Sequence, residues 1–295
     1  MNQKLVGYAE AVAAACLWGS SGIFAVHLFR LGVPPASLAL LRPLVGAVLL
    51  LAILSARNVR ALAIDRSGLI VLLLCGGVAV GIFQIAYQMS TDAVGVPSTV
   101  AMLYVAPAVV ALASGPLLGE WPDRMRIVLL VITLAGVWLS VLGADDVVTT
   151  FGATGLAWGL LAGVSYAAYT LFGRFASPRY GSIPTVVYST VGSCVFLAIV
   201  VPVGSGPVVW PASGPAWALL IMFSALTIAV AHFLFFDALS RIEASRVSIA
   251  SAIEPVVAAI LATLLLGQGL SSLGWAGIGL VVVGVVGVGL RASDG

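Results

Sequence analysis

Apolar residues gather in long blocks, separated by charges and by Gly/Pro/Asp clusters. Cutting the chain at those breaks gives ten apolar segments, approximately 8–29, 36–55, 67–90, 95–118, 125–143, 153–174, 183–203, 215–240, 244–267 and 272–291. Each is close to the roughly 17–25 residues that cross a bilayer as a helix. The connections are short, which leaves no room for a soluble domain of any size. The pattern predicts an all-α membrane protein with ten transmembrane helices.

Composition strengthens that reading. Of the 295 residues, 61% are apolar and 8% are charged. A soluble domain carries about 25% charged residues, so there is too little polar surface here to solvate a globule. The net charge of +2 comes with no basic stripe, which argues against a nucleic-acid partner.

Charge position adds orientation. Lys4, Arg57, Arg60, Arg66, Arg124, Arg126, Arg174, Arg179, Arg241, Arg246 and Arg291 fall on the side of the N-terminus, which is eleven of the thirteen basic residues. Arg30 and Arg42 lie at or near the far end of the first hairpin, and far-side loops are neutral or acidic, as at Asp92 and Asp145-Asp146. The excess of positive charge predicts that both termini are cytoplasmic.

The chain also repeats itself. Ala106-Pro107-Ala108-Val109-Val110-Ala111 returns 148 residues later as Glu254-Pro255-Val256-Val257-Ala258-Ala259. The same step carries Leu117-Leu118-Gly119 onto Leu265-Leu266-Gly267, and Gly136-Val137 onto Gly284-Val285. The step equals five spans, an odd number, so the second copy is expected the other way up. This predicts two units, 1–148 and 149–295, forming an inverted five-plus-five repeat, an architecture used for alternating access. Each copy sets a proline in an apolar run, which suggests broken helices and makes Pro107 and Pro255 hinge candidates.

Other chemistry is sparse. Cys16, Cys75 and Cys194 lie in apolar runs without disulfide or zinc spacing and read as small buried hydrophobes. The N-terminal segment continues past Cys16, and Glu10 interrupts it, so it reads as an uncleaved first span. No His-Glu-x-x-His, Gly-x-Ser-x-Gly or P-loop is present, so no catalytic residue, metal or cofactor is expected, and transport would be secondary or facilitative. Gly77 and Gly81, and Gly155, Gly159 and Gly163, follow the four-residue spacing of close helix contacts. The glycine face of the last span suits packing within a monomer or against a second copy.

Ala244 to Gly267 resembles the second-half signature of the drug/metabolite transporter superfamily, EamA-like branch. Leu117-Leu118-Gly119-Glu120 resembles the matching first-half ending, Leu40-Leu41-Arg42-Pro43 the start of that family's second span, and Leu17-Trp18-Gly19-Ser20 its first span. Gln268 stands where the second repeat often ends in Gly-Glu, and Val187-Tyr188-Ser189-Thr190 offers no counterpart to Arg42. The resemblance implies a ten-span carrier of a bacterial inner membrane exporting metabolites or drugs. Its cavity would be lined by spans one, three, four, six, eight and nine.

On those spans the candidate cavity residues are Trp18, Gln84, Tyr87, Tyr104, Tyr166, Tyr169, His232, Phe236 and Glu254. Glu254 is the carboxylate deepest in a span, and reads as a proton-coupling or substrate-ammonium site, or as a structural carboxyl beside Pro255. The rings would take an apolar side chain and attract an ammonium group; as packing or interfacial residues they would do neither. His232, without a second ligand at metal spacing, reads as a buried hydrogen-bonder or a proton partner for Glu254. Arg42 is expected to snorkel to the far interface or to pair within the bundle, with a substrate carboxylate as the functional alternative. Asp237, Glu120 and Asp123, with arginines nearby, read as interfacial ion pairs.

These residues point to a membrane exporter of small metabolites, amino acids above all, with the bilayer and a small-molecule substrate as partners. Export of an amphipathic or cationic drug is the alternative within transport. An intramembrane enzyme or lipid-handling scaffold is the alternative outside it.

Overall fold

The computed structural model describes residues 3–57, 59–143, 152–266 and 271–293. Gln268, Asp145 and Asp146, singled out above, lie outside the described residues. Among the described residues the ordered elements are all helical. The first span joins α1 (Gln3–Trp18) to α2 (Ser21–Arg30) through a break at Gly19 and Ser20. α3 (Pro35–Arg57) is the second. α4 (Arg66–Val71) runs through a wide π-type turn at Leu72–Gly76 into α5 (Gly77–Leu103). Within α5 the chain reverses at Gly95, whose φ of 78° and ψ of 168° lie where only glycine is at ease. The third span therefore ends at Val96 and the fourth begins at Ser98, continuing in α6 (Ala106–Leu118).

α7 (Arg124–Leu142) closes the first half. In the second half α8 (Ala153–Tyr180) and α9 (Ser182–Ser205) are unbroken. α10 (Gly214–Ser224) leads through a second wide turn, Ala225–Val230, into α11 (Ala231–Arg241). α12 (Ala244–Ala250), a tight turn at Ser251–Ile253 and α13 (Glu254–Leu266) follow, and α14 (Ser272–Ser293) ends the chain. Among the described residues, eight helices are long and apolar enough to cross a membrane, so this is a multi-pass membrane protein. They coincide with eight of the ten expected segments. α7 and α14 occupy the other two and fall outside that set.

Each of the two prolines adjoins a break between helices. Pro107 and Pro255 are each the second residue of a new helix rather than breakers inside an old one. At that position the missing N–H has no helical partner to lose, so the cost of about 3 kcal/mol in a helix interior does not arise. The breaks lie just upstream, at Tyr104–Val105 and at Ser251–Ile253. α6 and α13 start 148 residues apart.

Packing follows the same step. α1 packs on α11 and α5 on α8, and each pair maps onto the other 148 residues along. α3 on α9 and α7 on α14 map onto themselves. Small residues make the approaches close. A side chain at Gly77 would meet Gly192 Cα at 2.7 Å, and one at Gly163 would meet Met102 O at 2.6 Å. The glycine face of α14 packs within this chain, against α7: a Cβ at Gly277 would meet Gly136 O at 2.6 Å. Of the cysteines, Cys194 is buried, Cys16 is half-buried and Cys75 is exposed, so the buried reading holds for Cys194 and fails for Cys75. Cys75 sits in the wide turn at 72–76, where the helical register that would bury it is shifted.

The α7–α14 seam gives a paired prediction. Gly277→Leu should destabilise the protein by more than the 1–3 kcal/mol typical of overpacking, because backbone blocks the new side chain. Gly279→Leu, where a Cβ meets nothing within 4 Å, should leave stability nearly unchanged. Thermal unfolding of the two purified variants checks this.

Candidate functional site

At the centre of the bundle the interruptions in the helices release backbone groups, and side chains gather on them. The wide turn at Ala225–Val230 leaves the Thr227 carbonyl free of the regular ladder. Trp18 Nε1 donates to it at 2.9 Å, and His232 Nδ1 lies 2.6 Å from it. A carbonyl only accepts, so Nδ1 carries the imidazole proton and Nε2 is left as an acceptor. The Thr227 hydroxyl faces the other way and accepts from Arg42 Nε at 3.0 Å. Arg42 Nη1 donates to Gln84 Oε1 at 3.2 Å, and its guanidinium lies 4.5 Å above the Phe223 ring.

Arg42 therefore does not snorkel. It is 2% exposed and held inside the bundle by α5, by the wide turn before α11 and by the ring of α10. Pro43, next to it inside α3, and the buried Leu38 and Leu41 on the preceding turn keep this stretch within the apolar packing. Thr227 and Gln84 then offer the head group better partners than the distant interface.

Glu254 is 4% exposed and opens α13, where the positive end of the helix dipole favours a carboxylate. Tyr104 places its hydroxyl 2.8 Å from Ser251 O and 3.3 Å from Glu254 Oε2, joining the two broken helices at equivalent breaks. Gly19, in the break of the first span, lets that turn approach: a Cβ there would meet Glu254 O at 2.9 Å. Tyr87 lies within electrostatic reach of both Arg42 and Glu254, and Tyr166 faces Ser251.

Beside this polar group stands a stack of rings. Trp18 and Phe235 are 4.9 Å apart, and Tyr169 lies parallel to Phe235 at 5.3 Å. Phe83 stacks on Tyr166 at 5.4 Å, and Phe236 packs on the outer side of Tyr169 at 4.9 Å. Several polar atoms here are fully buried yet unpartnered: Gln84 Nε2, both amide atoms of Gln88, Tyr169 Oη and His232 Nε2. Leaving such an atom unmet costs about 1–3 kcal/mol.

All nine cavity candidates read from the sequence are thus drawn together, Phe236 at the edge. Arg42, Thr227, Gln88, Phe83 and Phe235 complete the group. Arg42 carried a signal, being an ionisable residue within a span. Thr227, in an apolar run with no polar pattern, carried none.

The two ends of the bundle are closed by different chemistry. At the end bearing the N-terminus, ion pairs tie the first half to the second. Arg241 binds Glu10 at 3.1 Å and Asp237 at 2.6 Å, and Ser182 donates to Asp237 at 2.7 Å. Arg174 binds Glu120 at 2.5 Å, whose other oxygen accepts from the Ala244 N–H at 3.0 Å. Arg126 pairs with Glu243, which also holds Arg246 at 2.8 Å, and Arg246 donates to Tyr8 at 3.2 Å. Asp237, Glu120 and Asp123 are thus paired as expected, the last with Arg126 at 3.3 Å. At the opposite end the contacts are mainly apolar, apart from the Val209 N–H donating to Ser37 Oγ at 3.0 Å. Phe24 stacks on Phe223 at 5.1 Å, and Leu28, Leu38, Leu41 and Leu220 pack around them.

The chain matches the EamA-like transporter family twice, over residues 5–142 and 153–290. It is 28% identical over 283 residues to the threonine/homoserine exporter RhtA of Escherichia coli strain K12, covering 94% of this chain and 88% of the relative. It is 22% identical to the inner membrane transporter YicL of Salmonella typhimurium, covering 97% and 96%, and 24% identical to the transporter YwfM of Bacillus subtilis, covering 92% and 90%. A solved crystal structure superposes with a TM-score of 0.79 at 19% identity, over 98% of each chain, a likeness of fold.

The ion-pair end yields a prediction. Glu120→Gln removes the partner of Arg174 and weakens the acceptor of the Ala244 amide. Amide hydrogen exchange over residues 239–247 should speed up by about tenfold or more, the equivalent of about 1.4 kcal/mol. The Phe24–Phe223 end should be unchanged.

Proposed function

This chain belongs to the EamA-like transporter family, and we propose that it exports small metabolites, amino acids foremost, across a bacterial inner membrane by alternating access. The observation that carries this reading is the set of buried, unpartnered polar atoms at the seam between the halves: Gln84 Nε2, the Gln88 amide, Tyr169 Oη and His232 Nε2. A polar solute crossing the membrane meets them; a purely structural core would have paired or replaced them. The relatives support the class, since RhtA is named as an exporter of threonine and homoserine. Arg42 favours an amino acid over a cationic drug, because a cation would meet a buried like charge.

In this reading the chain crosses the membrane ten times, α7 and α14 included, with units 1–148 and 149–295 inverted relative to each other. The five-span step, the matched starts of α6 and α13 and the reciprocal packing pairs support it. The distribution of Lys and Arg supports cytoplasmic termini. The cytoplasmic end is then the one latched by ion pairs, and the periplasmic end the one closed by apolar contact. Opening alternates between them, with the breaks ahead of Pro107 and Pro255 taking up the change of angle.

Purified protein in liposomes loaded with the twenty amino acids, a sugar and a cationic dye tests this. Selective loss of amino acids, read by mass spectrometry against protein-free vesicles, is the expected result. Loss of the dye alone would move the assignment to drug export. Loss of nothing, from protein with a cooperative unfolding transition, would remove transport of these solutes.

A further inference from the structure

Resting on the amino-acid reading, we infer that Arg42 and Glu254 hold the two ends of one free α-amino acid, Arg42 its carboxylate and Glu254 its ammonium. Both are almost wholly buried, at 2% and 4% exposure. Opposite charges buried in one bundle would ordinarily close on each other, since each is costly alone. Here they do not. Among the described residues no ion pair joins them or gives either another partner, although each lies within electrostatic reach of the other.

What keeps them apart is built into the fold. Arg42 is pinned by Thr227, by Gln84 and by the ring of Phe223. Glu254 is pinned by the start of α13 and by Tyr104. The single hydroxyl hydrogen of Tyr104 is shared between Ser251 O and Glu254, so the carboxylate keeps most of its accepting capacity. The Gln88 amide, one turn beyond Gln84 on α5, has neither atom partnered.

A ligand that completes this arrangement carries a carboxylate and an ammonium a short distance apart and is neutral overall. A carboxylic acid without the amine leaves Glu254 without a counter-charge and brings a second negative charge near it. An amine without the carboxylate does the same at Arg42. The site therefore selects the free zwitterion and rejects α-amides, amines and α-hydroxy acids by leaving a buried charge unmet.

The test is binding to the protein in lipid nanodiscs. The twenty amino acids are offered together, and those retained are identified by mass spectrometry. Each retained amino acid is then competed against its α-amide and its α-hydroxy acid. Wild type should bind both analogues at least about tenfold more weakly than the parent. Arg42→Gln should lose discrimination against the amide while keeping it against the hydroxy acid; Glu254→Gln should do the reverse. Arg42→Lys should keep the wild-type order.

Equal binding of parent and amide, or of parent and hydroxy acid, by wild type overturns the assignment even if a variant fails to fold. So does a folded Gln variant that keeps both discriminations, or one that loses both together. If wild type retains no amino acid, the amino-acid reading itself falls, and the assignment with it.

Discussion

Two ionisable side chains inside a membrane-crossing bundle are the constraint on which the rest of the structure turns. Arg42 and Glu254 are buried and not paired with each other. Each brings a desolvation cost of several kcal/mol that packing alone does not repay. The local backbone is arranged to meet it. One wide turn frees Thr227, a second helix starts at Glu254, and a break in the first span brings Gly19 against that start. Irregular backbone at this depth is tolerated only where it is enclosed by protein or lines a cavity, and the interruptions at Gly19–Ser20, Ala225–Val230 and Ser251–Ile253 carry groups that meet at this centre.

The scaffold repeats while the chemistry on it does not. Equivalent positions, 148 residues apart, pair Gln84 with His232, Tyr87 with Phe235 and Gln88 with Phe236. At the last two pairs the first copy supplies the polar group and the second a phenyl ring, while Gln84 and His232 are both polar. Arg42 corresponds to Thr190, and Glu254 to Ala106, so each charge stands in one half only. The repeated backbone therefore carries asymmetric side chains at its centre. The ends differ in the same manner. Ion pairs at one end are directional and break at a modest cost, typically up to about 1 kcal/mol each when exposed and more when partly buried. The opposite end is held mainly by apolar packing, with the Val209–Ser37 hydrogen bond as its directional contact.

Much of this was legible in the sequence because membrane helices announce themselves by length and apolarity, and a duplication by its constant step. The nine cavity candidates converge because they were read from spans that pack against one another. What could not be read depends on backbone departures with no compositional mark. The wide turn at 225–230 lies in a uniformly apolar run, so Thr227 gave no sign of its three partners. For Arg42 the sequence left open whether it reaches the far interface, as a long side chain close to a span end usually does, or pairs within the bundle. Its burial depends on Gln84 and Thr227, from two other spans. Pro107 and Pro255 marked the right places, but sequence alone does not tell a proline that breaks a helix from one that begins the next.

If the middle of the bundle is the proposed transport site, water and an amino acid must both reach it. The most direct measurement is thiol accessibility at Gln88→Cys, with the three native cysteines replaced. A membrane-impermeant thiol reagent is applied to membrane vesicles of each orientation, with and without the exported amino acids. The account predicts that the thiol reacts and that the amino acids protect it. A thiol unreactive from both sides in folded protein, or reactive at a rate no amino acid changes, would contradict it.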